Sequence, residues 1–389
     1  MKITDIVCHV LLDPGFDRHA TSSAQDDIVV EIHTDAGISG IGETDTNPWV
    51  ARACIESRGT HTMGLGLKEM LLGADPLDHE GLWQRMYVGS AMTGRRGAGV
   101  SAIGALDMAL WDIKGKALGK PCWQLLGGTP QPHVTPYASL QPAGRNLADY
   151  QSSLRDWAVQ AKQRGFRAAK LEASLFGPYA HGRLHEPEAA LVEVIAACRE
   201  AVGRDFTLMV DVQYAFSDAK KALHILQQLE PLDLFFIETP LWIDDLDGYA
   251  FLHENLGIRV AAGEWQTTRF EFIDLMDRGQ VDVAQPDVGR VGGLTEAKRV
   301  CDLAAARGRL IVPHCWKTGI GIAASVHLAA ATGHCPFVEF LPAAQCDAPL
   351  RRELVQEELH MRDGRIALPT RPGLGIELNR EALKKFAVR

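Results

Sequence analysis

Three carboxylates follow short apolar runs in the middle of the 389-residue chain. Each run has six or seven residues, as strands buried on both faces do, and they end in Asp211, Glu238 and Glu264. The spacings of 27 and 26 residues suit the βα unit of a parallel barrel, whose active site lies at the C-terminal strand ends. Because three close anions repel one another, they predict a hard divalent cation, and oxygen ligands favour Mg²⁺.

An aspartate and a histidine end the next two apolar runs. Asp287 closes one run and His314, directly after Pro313, closes the other. Neighbouring strand ends bring such side chains within reach, and a carboxylate can fix the imidazole tautomer and raise its basicity. The pair therefore predicts a general acid/base, and the alternative is a structural histidine with a loop-capping aspartate.

Two further charged side chains lie on an earlier run. Lys170 and Glu172 are two residues apart on a strand, so they point to the same side. Either they form a structural ion pair, or one of them takes part in catalysis. Lys170 could contact a substrate carboxylate, and Glu172, surrounded by acids, would have a raised pKa and could donate a proton. Glu339, at the end of an eighth run, could share a hydrogen bond with substrate or cap a loop.

Loops outside these runs supply weaker candidates. Arg18, His19 and Arg95 in the first third of the chain could contact substrate, with simple surface exposure as the alternative. We expect substrate specificity to depend on the loop 13–26, on the region of Arg95 and on the long connection 174–186.

The elements that must position these side chains follow from the periodicity. Residues 1–45 alternate as a β-meander, and 48–127 have helical periodicity, clearest in 97–118. Eight short apolar runs recur from residue 133, which predicts an α/β barrel after an α+β unit. The expected parts are an α+β unit (1–128), a barrel (129–350) and a tail that returns to the first unit (351–389).

Composition narrows the class of partner. A net charge of −9 argues against nucleic acid, which needs a basic face, and leaves a small acidic molecule possible. Eight cysteines without a CxxC spacing favour reduced thiols in a cytoplasmic protein. No apolar stretch approaches the roughly 18 residues that span a bilayer, and the first residues lack a signal-peptide pattern.

Six short motifs lie between residues 105 and 314, and the resemblance that they carry covers nearly the whole chain. They are Val210-Asp-Val-Gln213, Ile237-Glu-Thr-Pro240, Gly263-Glu264, Gln285-Pro-Asp-Val-Gly-Arg-Val-Gly-Gly293, Pro313-His314 and Ala105-Leu-Asp-Met-Ala-Leu-Trp-Asp-Ile-Lys-Gly115. Together they resemble the enolase superfamily, specifically its mandelate racemase subgroup. The resemblance implies a modified TIM barrel, (β/α)7β, under an α+β capping domain, Mg²⁺ on the three carboxylates, an Asp287–His314 dyad and a homo-oligomer. Gln213, in the first motif, is a further candidate for substrate contact.

One position departs from the pattern of that family. Its second barrel strand usually carries Lys-x-Lys, the second lysine being a base, and here that position is Glu172. Racemisation with two bases is therefore disfavoured, whereas one base with loss of a β-hydroxyl remains available.

The predicted reaction is the Mg²⁺-dependent dehydration of a sugar acid. Neutral His314 takes the α-proton, the ene-diolate is stabilised by Mg²⁺, and the β-hydroxyl leaves with a proton from His314 or Glu172 to give a 2-keto-3-deoxy acid. An aldonate is favoured over an aldarate, because Lys170 can bind one substrate carboxylate and no second basic cluster is evident. The alternatives are a racemase or epimerase of 2-hydroxy acids, a cycloisomerase, or a non-catalytic barrel that binds acid sugars.

Overall fold

The residues that the structure describes form three sheets, of which the first and the third are antiparallel and the second is parallel. The computed structural model describes residues 1–20, 22–128, 133–342, 345–346 and 348–388. In the first sheet the strand order is β1 (Ile3–Leu12), β2 (Asp26–Thr34), β3 (Ser39–Thr44). This is the predicted β-meander, and its buried face carries Ile6, Ile28 and Val30.

Helices cover the buried face of this sheet, and the closest to it is α5. A Cβ added at Gly40 or Gly42 of β3 would lie 2.1 or 2.0 Å from a carbonyl oxygen of α5, so only glycine permits this approach. Four positions of the predicted apolar stripe of α5, Ile103, Leu106, Leu110 and Ile113, are buried, whereas the fifth, Ala117 in the last turn, is exposed. The helices of this unit are α1 (Pro48–Glu56), α2 (Leu67–Leu71), α3 (His79–Gly89), α4 (Ala91–Gly94), α5 (Ala98–Leu118) and α6 (Cys122–Leu125).

Eight parallel strands form the second sheet, in which the last strand pairs with the first. Seven strands lie side by side in chain order, and the eighth closes the curl beside the first, so the predicted modified TIM barrel with an α+β cap is confirmed. The strands are β5 (Pro136–Leu140), β6 (Ala168–Glu172), β7 (Thr207–Asp211), β8 (Leu234–Glu238), β9 (Val260–Ala262), β10 (Val283–Ala284), β11 (Leu310–Ile311) and β12 (Val338–Phe340).

Helices surround the barrel, and apolar side chains fill its interior below the polar mouth. A separate inner cluster contains one buried side chain from each of seven strands or strand ends. Tyr137, Met209 and Phe236 are its largest members. The connecting helices are α7 (Leu147–Gln163), α8 (Ala190–Val202), α9 (Ala219–Leu226), α10 (Leu246–Asn255), α11 (Thr268–Asp277), α12 (Val288–Val291), α13 (Gly293–Ala306) and α14 (Gly319–Ala330), with 3₁₀ turns at His181–Arg183 and Gln227–Leu232.

The ends of the barrel region differ in detail from the prediction. The run at 133–139 divides, because β4 (His133–Val134) pairs antiparallel with β14 (Arg365–Ala367) in a third sheet. Only β5, which begins at Pro136, belongs to the barrel. The predicted boundary at residue 129 lies outside the described residues.

The tail divides between the two units. After α15 (Pro349–Glu353), the strand β13 (Met361–Arg362) joins the third sheet. The last helix, α16 (Arg380–Phe386), returns to the first sheet, where Arg380 makes two 2.7 Å bonds to Glu31.

The structure also describes the cysteines and the apolar character of the helices. All eight cysteines are free. In the part of the chain that the structure describes, no helix has both the length and the apolar character needed to cross a bilayer.

Candidate active site

A cavity of about 180 Å³ opens at the C-terminal ends of the barrel strands. Six side chains that the sequence singled out line it together: Lys170, Glu172, Asp211, Gln213, Glu264 and His314. The strands position them, because Lys170 and Glu172 share one face of β6, and Glu172 is level with Asp211 on the neighbouring β7.

The three acids at the strand ends are buried, and each is engaged by a protein donor. Asp211 accepts a 2.6 Å bond from Thr239, and Glu238 accepts a 2.7 Å bond from Lys170. Glu264, two residues beyond β9, accepts a 2.7 Å bond from the Tyr214 hydroxyl and lies 3.1 Å from His314 Nε2.

These contacts leave no preformed metal centre. Among the described residues, no three acidic, histidine or cysteine side chains are arranged to hold a metal ion. The donor set nevertheless fits a divalent cation by its charge. Burial, opposed by Lys170 and reinforced by Glu264, raises the pKa of Asp211 to about 6. Burial, opposed by Lys170 and reinforced by Asp211, raises the pKa of Glu238 to about 8. Positive charge is thus too scarce for all these acids to ionise, and the three-ligand centre stays a prediction.

His314 and Asp287 form a close pair behind the cavity. His314 Nδ1 lies 2.7 Å from Asp287 Oδ2, which leaves Nε2 facing Glu264 and the cavity. Burial and Arg290 act to lower the pKa of His314, but Glu339, Glu264 and Asp287 outweigh them and raise it to about 9. The same Asp287 caps α12 by accepting bonds from two backbone amides through Oδ1.

Lys170 is held by acids of the barrel wall and does not pair with Glu172. Its Nζ lies 2.7 Å from Glu238, 2.9 Å from Glu339 and 4.0 Å from Asp211. Glu339 lies one residue before the end of β12 and is fully buried. Its other oxygen accepts a 2.7 Å bond from the Cys315 amide, and both oxygens are occupied by the protein.

Glu172 has a weaker set of partners. Its Oε1 lies 3.3 Å from both Gln141 Nε2 and Ser174 Oγ. Burial first, and then the charge of Asp211, raise the pKa of this carboxyl to about 8 against those bonds. Glu172 is therefore mostly protonated at neutral pH and can donate a proton into the cavity.

The weaker candidates from the first unit do not reach the cavity. Arg18, His19 and Arg95 are exposed, and none of them lines it. The loops to which we assigned specificity contribute other side chains instead, namely Ser23 from the first and Tyr179 from the connection after β6.

Sequence reasoning missed an arginine and an aromatic wall. Arg290 lines the cavity 3.9 Å from Glu264 Oε2, and its place in the Gln285–Gly293 motif was the available signal. Tyr214 stacks on Trp265 with 4.5 Å between ring centroids, and Tyr179 packs against Trp265 edge-on. Tyr214 has a left-handed backbone (φ 59°), a strain that functional sites often hold. The aromatic residue type of Tyr214 did not by itself indicate a place in the cavity.

Comparison with known proteins agrees with this architecture. Residues 7–127 match the family model of the mandelate racemase / muconate lactonizing enzyme N-terminal domain, and residues 153–382 match the enolase C-terminal domain-like model. The chain therefore belongs to the enolase superfamily, in its mandelate racemase subgroup.

Individual relatives include enzymes named for a sugar lactone and for a sugar acid. The chain is 32% identical to D-galactarolactone cycloisomerase of Agrobacterium fabrum over 99% of both proteins. It is 31% identical to arabinonate dehydratase of Saccharolobus solfataricus, over 92% of this chain and 90% of that one. A racemase structure from Streptomyces coelicolor A3(2) with bound magnesium superposes with a TM-score of 0.84 at 29% identity, covering 99% of this chain and 100% of that one. Each of these three similarities extends over more than nine-tenths of this chain.

Proposed function

We propose that the protein is a Mg²⁺-dependent hydro-lyase that converts a sugar acid, with an aldonate favoured, into a 2-keto-3-deoxy acid. The observation that supports this most is the pairing of Asp287 with His314, whose Nε2 faces Glu264 and a cavity that two of the candidate metal ligands, Asp211 and Glu264, line. The similarity to sugar-acid dehydratases over nine-tenths of the chain agrees with this reaction class.

His314 is the proposed base for the α-proton. Asp287 fixes the tautomer by holding the proton on Nδ1, so that Nε2 presents its lone pair to the cavity. The neutral imidazole that this step requires is favoured once the charge of Glu264, which helps to raise the pKa of His314, is balanced. Asp211, Glu238 and Glu264 would hold the Mg²⁺, which supplies Lewis-acid stabilisation of the charge that develops on a substrate carboxylate.

Glu172 is the proposed acid for the departing β-hydroxyl. It lies on the second barrel strand and His314 follows the seventh, so the two side chains enter the cavity from different sides. Protonated Glu172 can therefore serve a hydroxyl on the face opposite His314, which corresponds to an anti elimination. Protonated His314 would serve a hydroxyl on its own face.

The charges around the cavity favour a substrate with one carboxylate. Lys170 and Arg290 line it, and both already pair with acids of the protein. An aldarate would bring a second carboxylate against the aromatic and acidic wall. A homo-oligomer and a cytoplasmic location stay predictions.

A second candidate is a cycloisomerase that opens a sugar lactone, favoured by the relative that aligns over 99% of both chains. The first step, removal of the α-proton by His314, would be shared. When the ring oxygen lies on the β-carbon, elimination releases a carboxylate, which needs no proton to leave. Glu172 would then have no part in bond cleavage.

The test is a panel of aldonates, aldarates and sugar lactones with Mg²⁺, followed by detection of 2-keto acids. We expect an aldonate to react, and His314→Asn to lower the rate by about 10²–10⁴-fold. His253→Asn is the matched control, since His253 also pairs with an aspartate through Nδ1 (3.0 Å from Asp282) but at the opposite end of the barrel. Full turnover by His314→Asn would refute the assignment of the base. Exchange of the α-hydrogen with solvent deuterium, without loss of water, would favour a racemase or epimerase.

A further inference from the structure

Asp45 connects the first sheet to both barrel loops that carry the dyad. It directly follows β3 and is buried, with 8% of its surface exposed. Its carboxylate forms a short ion pair with Arg290 and lies 3.2 Å from Lys317 Nζ. Its Oδ2 also accepts a 3.1 Å bond from Ser23, and its carbonyl oxygen accepts a 3.2 Å bond from Arg290 Nε. A single residue of the cap thus engages the residues that follow Asp287 and His314.

The other end of the Arg290 side chain faces a candidate metal ligand. Arg290 Nη1 donates a 3.1 Å bond to the carbonyl oxygen of Glu264 and lies 3.9 Å from its carboxylate. The guanidinium is almost fully enclosed, because only 13% of this side chain is exposed. A buried guanidinium that loses one carboxylate takes the nearest other one, since an unpaired buried charge is costly. Asp287 and Glu264 are two other carboxylates whose charges act on this guanidinium, and Glu264 already lies 3.9 Å from Nη1.

The backbone around this contact keeps the two units in register. Thr44, next to Asp45, donates a 2.7 Å bond to the carbonyl oxygen of Gly289, next to Arg290. A Cβ at Gly289 would lie 3.2 Å from the Thr44 backbone, and one at Gly104 of α5 would lie 2.4 Å from the Gly289 oxygen. The helix that Asp287 caps is therefore held between β3 and α5, and Asp45 cannot retreat from Arg290 without separating the units.

We propose that Asp45 is a positioning residue that holds Arg290 away from the Glu264 carboxylate, so that the capping domain keeps this carboxylate available to a divalent cation. The inference rests on the proposed function, in which Glu264 is one of the cation's ligands. It assigns to the cap a role in cation affinity in addition to covering the cavity.

The test measures cation binding directly, by calorimetry with Mg²⁺ and by the electron paramagnetic resonance of free Mn²⁺. Asp45→Asn is expected to weaken binding about 10-fold or more, because Arg290 turns to Glu264. Asp45→Asn with Arg290→Met removes the competing charge, and should bind at least threefold more tightly than Asp45→Asn alone. Glu31→Gln is the matched control, since it removes another buried carboxylate of the same sheet that pairs with an arginine, Arg380, remote from the cavity. Its affinity should stay within threefold of the unaltered protein.

The outcomes separate this inference from the proposed function. If Asp45→Asn binds as tightly as Glu31→Gln, or if the double variant is no tighter than Asp45→Asn, the inference is overturned. If Asp45→Asn does not fold, Arg290→Met alone gives the decision. Binding as tight as in the unaltered protein, or tighter, supports competition, and binding that is 10-fold weaker refutes it. If the unaltered protein binds neither Mg²⁺ nor Mn²⁺, the proposed metal site itself fails.

Discussion

A histidine far from the cavity should make the protein less stable in acid. His327 lies in α14 and is fully buried. Its Nδ1 accepts a 3.1 Å bond from the Trp123 amide, and its Nε2 lies 3.1 Å from the Leu374 carbonyl oxygen, to which it donates. Protonation would put an N–H on Nδ1 against the N–H of Trp123. Burial, despite the bond to Leu374, lowers the pKa of His327 to about 4.

The size of the effect follows from linkage between protonation and folding. The imidazole has an ordinary pKa of about 6.5 when the chain is unfolded, so it is protonated in the unfolded state first as the pH falls. The stability due to the neutral form is therefore complete above pH ~6.5, and it is lost progressively between pH ~6.5 and ~4. The difference between a pKa of about 6.5 in the unfolded chain and about 4 in the folded protein corresponds to about 3.4 kcal/mol in total and to about 2 kcal/mol at pH 5.

The assay compares the unaltered protein with His327→Gln at pH 7.5 and pH 5. Glutamine can accept and donate a hydrogen bond but does not titrate, and other ionisable groups contribute to both proteins alike. An unfolding entropy of about 0.8 kcal/mol/K for this length converts 2 kcal/mol to about 2–3 °C in Tm. On acidification the unaltered protein should lose that much more Tm than the variant. Equal losses in the two proteins would show that His327 does not carry the acid sensitivity.

Two further substitutions test the groups around the cavity. Glu172→Gln should lower dehydration by about 10²-fold or more and leave the opening of a lactone unchanged, because glutamine cannot give a proton. In the unaltered protein the rate should fall toward alkaline pH as Glu172, whose pKa burial raises, loses its proton, and an unchanged pH profile in the variant would contradict this role. Tyr214→Phe removes the 2.7 Å bond to Glu264 and should weaken Mn²⁺ binding about 10-fold, measured by calorimetry. Unaltered affinity would show that the hydroxyl does not orient this ligand.

The barrel was predictable because each βα unit is local in sequence. The strand that ends in Asp211 and the one that ends in Glu238 need only their own apolar run and the following helix to be identified. The prediction was weaker where pairing is remote. The pairing of His133 and Val134 with β14, more than 200 residues later, gave no signal in the run itself.

A residue of the site was predictable when its own type indicates its chemistry. It was not predictable when its role depends on a partner that is distant in the sequence. The role of Arg290 could not be inferred without its partner Asp45, which lies 245 positions earlier in the sequence. Arg18, His19 and Arg95 show the opposite error, because their charge suggested substrate contact while their backbone leaves them exposed. A charged side chain in a loop is most often solvated, and only the packing of the loop decides otherwise.

Asp287 shows that an acid at a strand end can be a helix N-cap and a functional residue at the same time. Its Oδ1 accepts bonds of 2.8 and 3.1 Å from the amides of Gly289 and Arg290, as a helix N-cap does, while Oδ2 faces His314 at 2.7 Å. In a parallel barrel the helix that follows a strand begins at the same rim where the active site lies. An N-cap at this rim is thus already beside the substrate, and the capping bonds fix the direction in which its second oxygen points. The local bonds that fold the βα turn therefore also orient the imidazole, which places the base without a separate supporting group.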